Sequence, residues 1–146
     1  MALGALAAAY AVLLTGSYVT VSGATVACGK SWPLCDGQLL PGGHHAVMHM
    51  VHRLAGLAAG GLMGIALIGA WRRRRSDVWL GRLASVVAVT FVVQILVGAG
   101  ILFSGFDLAA RLAHLAVASL VWVGLAGVVV LLWAPRPAAM EGVGGA

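Results

Sequence analysis

Charge is scarce in this sequence, and negative charge is almost absent. Only 9% of the 146 residues are charged, and four of these are acidic: Asp36, Asp77, Asp107 and Glu141. Hydrophobic residues make up 62% of the chain, and the mean hydropathy is +1.03. Soluble domains carry about 25% charged residues, so this composition excludes a water-soluble fold.

The four acidic residues all lie outside the long apolar blocks or at their margins. No carboxylate is therefore available deep in the hydrophobic part of the chain to act as a general acid or base. Redox chemistry at such a depth would have to be carried by a bound cofactor, with the protein supplying its position and surroundings.

The apolar residues form four blocks, each near the length of about 20 residues that a helix needs to cross a bilayer. The spans are predicted at about 3–21, 45–71, 78–103 and 111–133. This pattern predicts an all-α integral membrane four-helix bundle in one domain, residues 1–134, with a short tail over 135–146.

In the second span, Gly56, Gly60 and Gly64 recur every four residues, which suits either ordinary helix packing or the close approach of a flat cofactor.

Basic residues predict how the bundle is oriented. Arginines 72–75 stand together between the second and third blocks, and Arg82 and Arg136 fall on the same side. By the positive-inside rule, both termini and the tail are expected in the cytoplasm, and the 22–44 loop outside. Such a cluster beside a span is more simply an interfacial anchor than a nucleic-acid site. We therefore expect a multi-pass protein of the cell membrane that contacts lipid and no nucleic acid.

The two cysteines, Cys28 and Cys35, both belong to the predicted outer loop, where the compartment is oxidising. A disulfide between them is expected, and closing so small a ring would stabilise the loop by about 2–3 kcal/mol. Trp32 and Pro33 inside the ring would make it a rigid cap. A redox-active exchange pair is the alternative.

Two histidines lie within the spans at matching predicted depth. His52 lies about two turns into the second span and His114 about one turn into the fourth, and both spans run inward. Polar atoms left unpaired in hydrocarbon cost several kcal/mol, so such residues mark functional sites. Two facing imidazoles suit the axial positions of a haem iron, whereas zinc needs about four protein ligands. Gly56 and Ala118, one turn further along, leave room for the macrocycle.

Three further polar residues flank these histidines. Arg53 and Arg111 stand near the outer boundary, where a guanidinium can pair with a haem propionate. The alternative is that both are interfacial side chains that reach toward water. His49 lies one turn before His52 on the same helix face and is a candidate for functional contact.

Several motifs occur on successive spans in a characteristic order. They are Thr15-Gly16-Ser17, Cys28-Gly29-Lys30-Ser31-Trp32-Pro33-Leu34-Cys35, His52-Arg53-Leu54, Gln94-Ile95-Leu96-Val97-Gly98, and His114. Together they resemble the haem A synthase family of cytochrome oxidase assembly proteins, over nearly the whole chain to about Trp133. The resemblance implies an oxidoreductase that oxidises the C8 methyl of haem O to the formyl group of haem A, with haem b as cofactor and haem O as substrate.

Family members usually have eight spans in two similar halves, and this chain resembles one half. The resemblance therefore implies a homodimer or a second half-size homologue as partner, with haem O synthase or cytochrome oxidase as further partners. The family's substrate half has a glutamate where this chain has His49, which makes His49 the catalytic candidate. The alternative function is a non-catalytic bis-histidine haem b protein that passes electrons or holds haem. A thiol oxidoreductase would need two cysteine pairs, and the chain has one.

Overall fold

The computed structural model describes residues 1–134, and they form four long helices. These are α1 (Ala2–Val21), α2 (His44–Arg72), α3 (Val78–Phe103) and α4 (Leu108–Trp133), with one short 3-10 turn at Ala24–Val26. Each long helix is long and apolar enough to cross a membrane. The predicted all-α membrane bundle is thus confirmed. The tail predicted over 135–146 lies outside the described residues.

Aspartates fix the first turns of α3 and α4. Asp77 accepts a hydrogen bond from the Leu80 amide at 3.0 Å, and Asp107 accepts one from the Ala110 amide at 3.1 Å. A carboxylate at this position pairs an otherwise free backbone N–H and interacts favourably with the helix dipole. Because Asp107 caps α4, the helix starts at Leu108, ahead of the start near 111 that the hydropathy pattern predicts.

The helices form an up-and-down bundle in the ring order α1, α2, α3, α4. Helix α1 packs along α2 and α3 packs along α4, and these two hairpins meet through the α2–α3 and α1–α4 contacts. Helices α2 and α4 therefore stand diagonally across the bundle and run in the same direction. This places a side chain from each on opposite sides of the bundle axis.

The packed core lies in the half of the bundle away from the disulfide loop. Its buried members come from all four helices: Ala5, Ala9, Met63, Ala66, Leu67, Ala70, Leu80, Ala84, Val87, Val121, Leu125 and Val128. Many of them are small, so the helices approach closely there and gain van der Waals contact. The half that carries the histidines is packed less completely.

The regularly spaced glycines of α2 have different roles. A Cβ on Gly60 would lie 2.7 Å from the Phe91 ring, so Gly60 serves the close packing of α2 against α3. A Cβ on Gly56 or Gly64 would meet no other described group within 4 Å. Gly56 therefore leaves open space, one turn beyond His52.

Arginine and tryptophan side chains pair at the end of the bundle opposite the disulfide loop. The Arg74 guanidinium lies 3.5 Å from the centre of the Trp71 ring, and that of Arg82 lies 5.3 Å from the Trp79 ring. Such cation–π pairs, with both tryptophans exposed, are typical of a membrane–water interface. The side of the membrane that this end faces stays a prediction.

Candidate functional site

The disulfide loop is held against the start of α2. Cys28 and Cys35 are joined, as predicted, and both are buried against Met50 and its neighbour Ala46. Arg53 adds two polar contacts, because its Nη1 donates to the Pro33 carbonyl at 2.9 Å and to the Leu34 carbonyl at 3.2 Å.

His52 lies against α1 and is fixed there by Thr15. Its Nδ1 is 3.1 Å from Thr15 Oγ1, and the Thr15 hydroxyl donates to the Val12 carbonyl at 3.0 Å. Because a hydroxyl has a single proton, a Thr15 hydroxyl that donates to the Val12 carbonyl accepts from His52 Nδ1–H. The lone pair of the ring therefore stands on Nε2, which makes no hydrogen bond with any residue of 1–134.

His114 lies against α3 in a matching way but with a different partner. Gln94 Nε2 donates to His114 Nε2 at 3.2 Å. The other ring nitrogen, Nδ1, is buried without a hydrogen-bond partner in the described chain, and so is Gln94 Oε1. The two histidines thus use opposite ring nitrogens for their hydrogen bonds.

A glycine lets each imidazole approach the neighbouring helix. A Cβ on Gly16 would lie 2.9 Å from His52 Cε1, and a Cβ on Gly98 would lie 2.8 Å from His114 Cε1. The two glycines occupy equivalent places in their helices, because Gly16 lies five residues before the end of α1 at Val21 and Gly98 lies five residues before the end of α3 at Phe103. The two hairpins therefore present one imidazole each at the same depth in the bundle.

A cavity of about 60 Å³ lies between the hairpins, one turn beyond the histidines. All four helices line it, through residues that include Val12, Gly56, Gln94 and Ala118. Residues four apart share a helix face, so His52 and His114 stand above this cavity on the faces of Gly56 and Ala118. Apart from Gln94 the lining is apolar, which is the character of sites that bind hydrophobic ligands.

Buried polar atoms without partners cluster beside the two histidines. Within residues 1–134 they include His49 Nδ1, Arg53 Nη2, Gln94 Oε1, Arg111 Nε and His114 Nδ1. Most buried polar groups in proteins are paired, so such a cluster indicates a site built for a ligand. The two arginine atoms are donors, which suits a ligand with carboxylate groups.

The structure places the predicted site residues in four different surroundings. His52 and His114 stand above the cavity, whereas Arg53 is partly engaged by the disulfide loop. His49 is buried beside the backbone of Ala24 in the 3-10 turn and does not line the cavity. Arg111 lies in the first turn of α4 with its Nε unpaired in the described chain.

The histidine pair differs from an ordinary protein metal site. In the part of the chain that the structure describes, no three His, Cys, Asp or Glu side chains come together to hold a metal ion. Two imidazoles suffice only when other ligands come with the metal, as the four nitrogens of a porphyrin do. The donor set and the unpaired arginine donors both fit haem.

Residues 43–126, more than half of the chain, match the family described as cytochrome oxidase assembly protein. This chain belongs to that family. The resemblance seen in the sequence motifs is thereby confirmed. Family membership and four apolar helices together show that this chain is a multi-pass membrane protein.

Individual relatives of this chain carry the name haem A synthase. The protein of Halalkalibacterium halodurans is 35% identical over 127 residues, which cover 84% of this chain and 41% of the relative. Those of Bacillus mycoides and Bacillus cereus AH187 are 37% identical over 90 residues, covering 60% of this chain and 29% of each relative. The chain thus spans at most about two fifths of the length of these relatives. No solved structure matches it at a significant level.

Sequence reasoning missed how the two histidines are held. Thr15, Gly16, Gln94 and Gly98 belong to the sequence motifs, but the motifs do not indicate what these residues contact. The available signal was a polar side chain with a glycine nearby inside an otherwise apolar span, which is costly unless it has a partner. No comparable pattern in the sequence predicts that Arg53 contacts the disulfide loop.

Proposed function

We propose that this chain binds a haem between His52 and His114 and acts in haem modification as a half-size haem A synthase-like oxidoreductase. The observation that carries the proposal is the equal placement of the two imidazoles. Each hairpin contributes one imidazole, and each imidazole packs against a glycine of the neighbouring helix. Both imidazoles lie one helical turn from the same cavity. Bis-imidazole ligation from facing helices is an established way of holding haem in a bundle.

The residues around the two histidines are suited to bind the macrocycle and the propionates of haem b. The apolar lining with Gly56 and Ala118 suits the part of a hydrophobic macrocycle that enters the cavity. Because the cavity holds only about 60 Å³, the rest of the macrocycle would occupy the less densely packed space between His52 and His114. Arg111 Nε and Arg53 Nη2, both buried and unpaired in the described chain, are donors for the propionates. Arg53 would then bind the disulfide loop and the ligand together, since its Nη1 already holds the loop.

The relatives' name supports haem A as the product, and the family resemblance implies that haem O is the substrate, with its C8 methyl oxidised to the formyl group by successive hydroxylations. Bound haem supplies the redox chemistry. One chain offers one histidine pair, so a second site requires a homodimer or a half-size homologue, and haem O synthase and cytochrome oxidase are suitable further partners. His49 stands at the family's glutamate position, and its unpaired Nδ1 makes it the candidate proton-handling group.

A non-catalytic haem b carrier is the second candidate. One observation favours it: His49 is buried beside the Ala24 backbone of the 3-10 turn, one turn further from the cavity than His52. A group that assists oxidation must come within hydrogen-bond reach of the ligand, and this position is less favourable for that than the position of His52. In that case the chain would pass electrons or hold haem during oxidase assembly.

Haem titration and a product assay in mild detergent test the proposal. His52→Ala and His114→Ala should each weaken haem binding more than about tenfold, because an axial ligand is lost. His45→Ala is the matched control, since His45 is exposed at the start of α2, and it should bind haem normally. Given haem O, dioxygen and an electron donor, the wild-type protein should form haem A by successive hydroxylations of the methyl group, and the product is identified by extraction and mass. Haem binding without product would favour the carrier, and no haem binding by the wild type would contradict both.

A further inference from the structure

We infer, on the basis of the proposed haem site, that the two histidines are not equivalent: Thr15 holds His52 ready to bind iron, whereas Gln94 competes for the ligating nitrogen of His114. His52 is then the firm ligand and His114 the exchangeable one. Thr15 and Gln94 are positioning residues with opposite effects on ligation.

The firm character of His52 follows from the bonds around Thr15. The Thr15 hydroxyl is held on one side by the Val12 carbonyl and on the other by His52 Nδ1. This chain of two hydrogen bonds fixes the imidazole tautomer and ring orientation. It also leaves the Nε2 lone pair directed away from the bond, which is the arrangement that second-shell partners give to metal ligands.

The exchangeable character of His114 follows from the atom that Gln94 uses. Gln94 Nε2 lies 3.2 Å from His114 Nε2, the same ring atom that is free in His52. If the amide were turned round, Gln94 Oε1 would still occupy this nitrogen. Iron can therefore bind His114 Nε2 only after Gln94 has moved.

Gln94 is able to leave. Its Oε1 has no hydrogen-bond partner among residues 1–134, so one bond holds the amide in place. The side chain also lines the cavity, which gives it space to turn. Thr15 has neither property, because its hydroxyl makes two hydrogen bonds and it is not among the residues that line the cavity.

This difference suits a site whose haem must be released or passed on. Two firm ligands would hold the haem from both sides, whereas one firm and one contested ligand retain it and leave the second axial position open to exchange. The hydrogen bond regained by Gln94 partly offsets the loss of the His114 ligand.

Two substitutions of nearly unchanged shape test the inference through haem affinity and the absorption spectrum. Thr15→Val removes the acceptor of His52 Nδ1–H and should weaken haem binding about tenfold, the lower end of the range for lost second-shell partners. Gln94→Met frees His114 Nε2 and should leave haem binding equal or tighter, with a larger low-spin, six-coordinate fraction. Thr15→Ser keeps the hydroxyl and should restore binding.

Thr90→Val is the matched control. Thr90 lies in α3 one turn before Gln94, and its hydroxyl is bonded to the Val86 carbonyl at 2.8 Å and not to either imidazole, so Thr90→Val should bind haem as the wild type does. Gln94→Leu is a second variant in case Gln94→Met fails to fold, and helical circular dichroism checks every variant.

The outcomes separate this inference from the proposed function. If Thr15→Val and Gln94→Met weaken haem binding alike, the histidines are equivalent, Gln94 only orients His114, and the inference is overturned while the haem site stands. A Thr90→Val loss equal to that of Thr15→Val would overturn the role of Thr15. A wild-type protein that binds no haem would overturn the proposed function and this inference together.

Discussion

At the residue scale, the missing side chains of two glycines position the histidines. Gly16 and Gly98 are where the rings of His52 and His114 meet the neighbouring helices, with less than 3.0 Å between Cε1 and the place of a Cβ. Real Cβ atoms are almost never so close to another heavy atom. A single added methyl group must therefore move the ring, because the helix backbone is held by its own hydrogen bonds.

Gly16→Ala and Gly98→Ala are expected to lower the haem content of the purified protein. The methyl group would displace the imidazole from its place above the cavity and disturb the bond to Thr15 or Gln94, with a loss of about tenfold in affinity. Haem titration with the absorption spectrum measures it. Gly100→Ala is the matched control in α3, since a Cβ there meets no described group within 4 Å. Equal haem content in Gly98→Ala and Gly100→Ala would contradict the assigned role of the glycine.

At the element scale, the start of α2 joins the disulfide loop to the half of the bundle that holds His52 and His114. The disulfide packs on Met50, and Arg53 binds two loop carbonyls one residue after His52. The sequence offered propionate binding or interfacial exposure for Arg53, and the structure adds a contact with the loop. The loop is thus tied to the same helix turn that carries the candidate ligand.

Arg53→Met should loosen the disulfide loop while the helices stay formed. Losing hydrogen bonds from a charged donor costs about 1.5–3 kcal/mol, so the loop amides should exchange with solvent roughly tenfold faster or more. The amide of Gln38, bonded to the Cys35 carbonyl at 2.9 Å, is a suitable reporter in hydrogen exchange. Arg82→Met at the opposite end is the control. No change in loop exchange would show that the disulfide alone orders the loop.

At the scale of the whole molecule, the bundle differs between its two ends. One end holds the packed core and arginines 72–75, and the other holds the histidines, the unpaired polar atoms and the disulfide loop. Dense packing suits a structural end, and a less filled interior suits a ligand site. The positive-inside rule predicts that the arginine end faces the cytoplasm.

Cysteine labelling in cells tests this orientation. In a Cys28→Ser, Cys35→Ser background, Ser104→Cys in the α3–α4 turn should react with a membrane-impermeant maleimide in intact cells. Ser76→Cys in the α2–α3 turn should react only after the cells are permeabilised, because arginines 72–75 keep that turn inside. Both positions are exposed, so access to the reagent decides the result. Labelling in the reverse order would place the histidines near the cytoplasm and contradict the predicted topology.

Hydropathy alone was enough to predict the four spans, because crossing a bilayer demands about 20 apolar residues whatever the packing. The two cysteines of the outer loop were predicted to pair for a similarly local reason, since a short stretch of chain joins them. His52 and His114 stood out because imidazoles inside spans are costly without partners. The start of α4 was less well predicted, since hydropathy does not register that Asp107 caps the helix by accepting from the Ala110 amide.

Only the tertiary structure decided how those imidazoles are held and which nitrogen each leaves free. Thr15 is 37 residues from His52, and Gln94 is 20 residues from His114. Whether such residues meet depends on the rotation of each helix about its axis and on how closely neighbouring helices approach. Side-chain packing along the whole bundle sets both quantities, so no local pattern in the sequence contains them.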